Sequence, residues 1–132
     1  MRKRTSKKKT PRELIKDQLW SHCKRIVRAR DKNKCQVCNQ YICGSNAHTS
    51  HVIPRSYSLR MFYDIVNLKL LCSYHHMRWW HKNPLEAAEW YIKKYPGRYK
   101  YLMKRKVEVK AMKAVTMKEL QQWLAAFEAV KE

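Results

Sequence analysis

Glycine is nearly absent from this chain. There are two glycines and four prolines in 132 residues, and with at least four helical stretches that leaves a mostly α protein with a small β element. No apolar run reaches about 18 residues, so nothing reads as a membrane span. The basic N-terminus has no apolar segment behind it and does not read as a secretory signal. Acidic residues are few, 10 Asp and Glu against 30 Lys and Arg, for a formal charge of +20. Such an excess excludes a neutral surface and calls for a polyanionic partner, nucleic acid first and an anionic membrane surface as the rival. Five cysteines are an odd number with one tight pair, which argues against a disulfide framework and for metal binding in a reducing compartment.

What is present divides the chain into three. Residues 1–10 form a basic arm, expected to be disordered, that would bind phosphates. Thr10-Pro11-Arg12-Glu13 has the cap, proline and acid of a helix start, and Leu14, Ile15, Leu19, Cys23, Ile26 and Val27 follow at helical spacing to about Arg30. Residues 31–34 are a turn, 47–53 an extended segment, 57–63 a loop, 65–71 strand or loop, and a helix runs from about Ser73 to Lys82. Asn83-Pro84-Leu85-Glu86 starts another helix that stops before Pro96-Gly97. Residues 98–114 are basic and mixed. Thr116-Met117-Lys118-Glu119 opens a last amphipathic helix with Leu120, Trp123, Leu124, Phe127 and Val130 on one face.

Cys35-x-x-Cys38 and Cys72-x-x-His75 are two short-spaced ligand pairs. Zinc takes thiolate and imidazole donors tetrahedrally, and two such pairs from separate knuckles close one site. The long insertion between the pairs must then be a structural unit held at its base by the metal. Cys43 stands as an alternative ligand in place of Cys35 or His75, and Cys23, inside the first helix pattern, reads as a small buried apolar residue.

Ser50-His51-Val52-Ile53-Pro54-Arg55-Ser56, followed by Asn67-Leu68 and Leu71-Cys72-x-x-His75-His76, resembles the HNH (His-Me finger) nuclease family over about residues 20–97. Arg30-Asp31 ahead of the first knuckle, with Arg55 and Arg60 downstream, is similar to the phage recombination nucleases of the NinG type. The resemblance implies an α+β ββα-metal core with a structural zinc, flanked by N- and C-terminal helices, so that residues 11–97 form the nuclease domain and 98–132 a basic segment plus the last helix. It implies His51 as general base, Asn67 as the middle residue and His76 as the helix residue, with Mg²⁺, Mn²⁺ or another divalent ion at the catalytic site. It also implies a DNA substrate, 5′-phosphate and 3′-hydroxyl products, and a phage protein acting in a bacterial cytoplasm as monomer or homodimer. Two positions depart from the family pattern. His75 stands where a cysteine is usual, and Ser50 where an Asp or His metal ligand often precedes the base.

The chemistry asks for such residues. A neutral imidazole takes a proton from water near neutral pH, and one cation offsets the charge that builds on the phosphate. His48, two residues before Ser50 on the same strand face, is a further candidate for the catalytic metal. So is His81, although in an ideal helix it lies about 140° round from His76. Arg55, Arg60, Arg78 and Lys82 are candidate DNA contacts. No base-reading motif is evident, so no sequence preference is assigned. Without catalysis by His51, the same outer ligands and charge describe a zinc module that binds DNA or RNA and does not cut it.

Overall fold

The computed structural model describes residues 7–131. The expected basic arm, residues 1–10, therefore lies mostly outside the described residues. Helix α1 spans Pro11–Arg30, started by the Thr10 side chain accepting from the Glu13 N–H at 3.2 Å. Its buried stripe is Ile15, Leu19, Cys23, Ile26 and Val27, whereas Leu14 stays exposed. It stops at Asp31, after which Lys32 and Asn33 take left-handed backbone (φ 56° and 55°) and turn the chain back. That turn leads into the first knuckle, closed by Asn39 N–H on Cys35 O at 2.8 Å and Cys35 N–H on Gln40 O at 2.9 Å.

Strand β1 (His48–His51) pairs antiparallel with β2 (Leu68–Leu71), in the register His48 to Leu71 and His51 to Leu68. Every residue of β2 is buried. A two-stranded sheet would leave backbone groups of such a strand unpaired inside the protein, at a cost. The end of α1 prevents this. Arg30 donates to Ile65 O (2.7 Å) and Leu68 O (2.6 Å), the Asp31 carboxylate accepts from Leu70 N–H (2.9 Å), and Gln36 N–H donates to Leu70 O (3.0 Å). The Arg30-Asp31 pair thus staples α1 and the first knuckle to the sheet edge.

Between the strands, residues 57–63 are not the expected loop throughout. Ser58 caps a one-turn helix, α2 (Leu59–Phe62), by accepting from Arg60 N–H at 3.0 Å, a local serine cap that hydrophobic periodicity does not reveal. After β2 the chain makes a π-helix over His75–Trp80 where an α-helix was expected. Helices α3 (Pro84–Lys94), α4 (Pro96–Lys110) and α5 (Met117–Glu128) follow. The basic stretch from residue 98 is continuous helix, so the boundary expected after residue 97 falls inside α4. Pro96 suits its first turn, Leu102 and Val109 sit buried one above the other at heptad spacing, and charged side chains share the rest of the surface with exposed Tyr101, Met103 and Val107. The capping box of Thr116 and Glu119 forms as the sequence predicts.

Two apolar clusters hold these elements. One joins α1, the first knuckle, β2 and Leu120 of α5; the other joins Ile53, Met61, Tyr91, Leu102 and Val109, and Trp80 packs against both. The last helix is tied to the first by Arg25 donating to Phe127 O at 2.8 Å and Arg12 to Val115 O at 2.9 Å. The protein is therefore mostly α around a small antiparallel sheet. None of the described helices is long and apolar enough to cross a membrane.

Candidate metal centre and imidazole cleft

The two knuckles meet at one end of the sheet because Cys72 directly follows β2 and the first knuckle is hydrogen-bonded to β2 through Gln36. His75 Nδ1 lies 3.2 Å from Cys72 Sγ and 3.8 Å from Cys35 Sγ, and the ligand atoms of Cys35, Cys38, Cys72 and His75 all lie within 4.8 Å of one another. Bonds of about 2.0–2.3 Å to a tetrahedral zinc give edges of about 3.3–3.8 Å. The set is already near closing distance and could hold such an ion. Among the described residues it is the one cluster of this kind. Cys43 is exposed and outside it, which removes that alternative ligand. Cys23 is buried, and burial raises its thiol to about 12, so it behaves as an apolar residue.

The thiols carry the signature of a site that wants a cation. Burial works against ionising Cys35, but backbone N–H groups of Cys38, Cys72 and Val37 outweigh it and lower the thiol. Burial lifts Cys72 to about 11, with the neighbouring Cys35 adding to the rise. A divalent ion would supply the charge that lets both be thiolates. His75 is lowered by burial and is neutral, as a ligand must be.

The second site is a cleft of about 470 Å³ walled by Trp20, His51, Arg55, His76, Trp80 and His81 among others. A larger apolar pocket of about 510 Å³ shares Val52, Pro54 and Trp80 with it but holds no imidazole, thiol or carboxylate. His51 ends β1, stacks on Trp20 (5.3 Å between centroids, 9° between planes) and donates Nε2–H to Phe62 O at 3.0 Å. A carbonyl only accepts, so the proton is fixed on Nε2 and Nδ1 carries the lone pair. Burial brings His51 down to about 4, opposed by the Phe62 carbonyl and helped by Lys69 and Arg55. His76 is also pushed down to about 4 by burial, then by His81, His48 and Lys69.

The π-helix answers the spacing of His76 and His81. With about one residue more per turn than an α-helix, it stacks positions i and i+5. The His81 N–H reaches His76 O at 3.4 Å, and the two Nε2 atoms stand 3.1 Å apart. His48 comes from elsewhere: its Nδ1 lies 2.9 Å from the Nδ1 of His76. The two nitrogens of one ring point to opposite sides, so one ion cannot take His48 at one edge of His76 and His81 at the other. Of the expected trio, His48 and His81 thus approach opposite edges of the His76 ring; His76 and His81 line the cleft, and His48 lies behind His76, outside its walls.

Asn67 does not touch His51. Its amide is wholly buried, accepts from Ile53 N–H (2.7 Å) and donates to Ile53 O (3.0 Å) and Met61 O (2.9 Å). It locks the chain that leaves β1 just after His51 and makes no hydrogen bond to the His51 ring. Asn67→Ala strands three buried backbone groups, each costing about 1–3 kcal/mol. A loss of about 3 kcal/mol or more in urea unfolding of the zinc-loaded protein is expected.

Ser50 faces Lys69 across the sheet, and this pair went unnoticed in the sequence. Lys69 is fully buried, donates to Ser50 Oγ at 3.1 Å, and sits 3.2 Å from the centre of the Trp80 ring. Burial lowers its ammonium well below the usual lysine range, with Asp31 opposing. The clue was a lone lysine in an otherwise apolar strand, but its partner depends on the strand register. Of the candidate DNA contacts, Arg55 lines the cleft, while Arg78 and Lys82 are exposed outside its walls. Arg60 is occupied within the fold: it grips Glu119 with two bonds (2.6 and 3.2 Å) and reaches Lys113 O at 3.1 Å.

Comparison with protein-family models, with curated proteins and with solved structures returned no match. The geometry must carry the functional reading. It makes one direct prediction about protonation. His51 and His76 fold with values below the ordinary imidazole value of about 6.5. The unfolded chain therefore binds more protons between pH 6.5 and 4, and the stability these groups contribute is complete above 6.5 and lost as pH falls through about 4. In a histidine ¹⁵N NMR titration, the His51 ring should keep its neutral shifts to pH 5 and protonate near 4.

Proposed function

We propose that the chain is a metal-dependent DNA endonuclease of the HNH type, with a ββα-metal core stabilised by zinc. The observation that carries this reading is the His51 ring, with Nε2–H tied to Phe62 O at 3.0 Å and a bare Nδ1, in a cleft that also holds His76 and His81. Strand, strand and helix follow in the order the family resemblance implies, and the +20 charge suits a phosphate backbone.

In this reading His51 Nδ1 takes a proton from water as the water oxygen bonds to phosphorus. The bond from phosphorus to the 3′ oxygen breaks, that oxygen leaves with the electron pair, and a solvent proton completes the 3′-hydroxyl opposite a 5′-phosphate. A divalent ion bound through His76 and His81 would neutralise charge on the phosphate and the leaving oxygen. Imidazole donors favour Mn²⁺ or a later transition metal over Mg²⁺, which prefers oxygen. Arg55, Arg78 and Lys82 would hold flanking phosphates, whereas Arg60, bound to Glu119, steadies the C-terminal helix. The sequence resemblance places such an enzyme in phage DNA processing in a bacterial cytoplasm.

One observation favours a rival, a zinc module that binds DNA or RNA without cutting: among the described residues no carboxylate lines the cleft. Supercoiled plasmid incubated with zinc-loaded protein and Mn²⁺, Mg²⁺ or Ni²⁺ separates the two. Nicking that needs the added ion supports the nuclease; tight binding with no nicking under any ion supports the module.

A further inference from the structure

His48 is placed between a carbonyl and a second imidazole, and the order of hydrogen bonds fixes where protons sit. Its Nε2 is 2.9 Å from Ser45 O, and its Nδ1 is 2.9 Å from His76 Nδ1. The carbonyl accepts only, so Nε2 of His48 carries a proton and, in the neutral ring, Nδ1 is bare. The proton in the next bond must then belong to His76 Nδ1. That leaves His76 Nε2 bare, 3.1 Å from His81 Nε2. The ring centroids of His48 and His76 are 5.1 Å apart with the planes twisted by 83°, so the two nitrogens face each other edge to edge, as an N–H aimed at an in-plane lone pair does.

We infer that His48 is a positioning residue which sets the tautomer of His76, turning the Nε2 lone pair of His76 into the cleft for a divalent transition-metal ion. The inference deepens the nuclease reading and rests on it for its purpose, but the tautomer can be read without any reaction. Histidine metal ligands commonly donate their other N–H to a carboxylate, carbonyl or water, and losing that partner weakens binding about 10–100-fold. Here an imidazole fills the partner's place and relays the orientation of a backbone carbonyl in the Gly44–Asn46 turn. Ser45 O accordingly steers a ligand in the π-helix through one intervening ring. The same arrangement gives His48 a role that does not require it to enter the cleft.

The test uses the full-length, zinc-loaded protein without a second ion, above pH 7.5, by long-range ¹H–¹⁵N NMR of the histidine rings. His76 is expected as the Nδ1–H tautomer. In His48→Ala it should move to Nε2–H, the form a free neutral imidazole favours, and in His48→Gln, whose amide oxygen accepts, it should return toward Nδ1–H. Calorimetric titration with Ni²⁺ should show binding about 10–100-fold weaker in His48→Ala and partly restored in His48→Gln. Zinc content and thermal midpoint report whether each variant is folded. An Nε2–H tautomer of His76 in the unaltered protein overturns the inference, and so does a His76 tautomer that ignores His48→Ala in a folded variant. If the tautomer follows His48 but plasmid is never nicked, the relay stands and the nuclease reading falls.

Discussion

Cys72→Ser is expected to abolish zinc binding at the four-ligand cluster, which could hold such an ion, and with it the cooperative unfolding of the chain. Cys72 is the residue at which β2 ends and the second knuckle begins, and its thiol is buried. Losing one of four ligands leaves an open site with the buried thiol of Cys35, the half-buried thiol of Cys38 and a serine hydroxyl that does not ionise. Structural zinc contributes apparent binding free energies of about 10–16 kcal/mol in small domains, whereas whole domains are stable by about 5–15 kcal/mol. The larger apolar cluster includes Cys35 and Cys72 themselves, so loss of the ion should loosen the core where β2 meets the first knuckle. Far-UV circular dichroism of Cys72→Ser should show a broad, early melt, and metal analysis well under one zinc per chain. Cys43→Ser, which alters an exposed thiol outside the cluster, should keep both the zinc and the melting transition. A Cys72→Ser protein that melts like the unaltered chain would falsify the structural-zinc assignment.

The second large effect follows from the proposed nuclease reading. His51→Ala should reduce ion-dependent plasmid nicking by about 10²–10⁴-fold, the usual contribution of a positioned general base. The variant removes a half-buried ring stacked on Trp20 and tilted against Phe62, so some loss of stability accompanies it, and intact zinc content and a cooperative melt are needed to show that the fold survives. His22→Gln is a suitable control. That histidine lies on α1, where it accepts from Arg25 at 2.9 Å, and it does not line the cleft. Nicking that is the same in His51→Ala as in the unaltered protein, after identical purification, removes His51 from the mechanism.

Much of the fold was legible because its signals are local. Thr10 and Thr116 cap the helices they precede, the buried stripe of α1 follows its apolar spacing apart from Leu14, and Cys35, Cys38, Cys72 and His75 gather as their two short spacings demand. What was not legible depends on contacts between distant residues or on a change of helical pitch. Asn67 has the sequence position of a catalytic-site residue, yet its partners are the backbone of Ile53 and Met61. Arg60 is a basic residue near the cleft in sequence, yet Glu119 claims it from the last helix. Lys69 becomes a buried amine only when the strand register puts Ser50 opposite and Trp80 over it. Residues 98–110 lack a clean apolar period, and Leu102 and Val109 are the helix's buried residues there.

The π-helix between His75 and Trp80 has a consequence for kinship. A widened turn is what remains when a helix absorbs one extra residue without moving its ends. Here the absorbed residue lies between two histidines that meet across the turn, so the pair is written His-x-x-x-x-His in place of the His-x-x-x-His that α-helical geometry would need. A template that counts fixed intervals passes over such a pair, although the side chains arrive at the same place. Removing one residue from Met77–Trp79 would restore the shorter interval and the ordinary pitch together. The segment can thus gain or lose a residue while its two imidazoles keep facing each other.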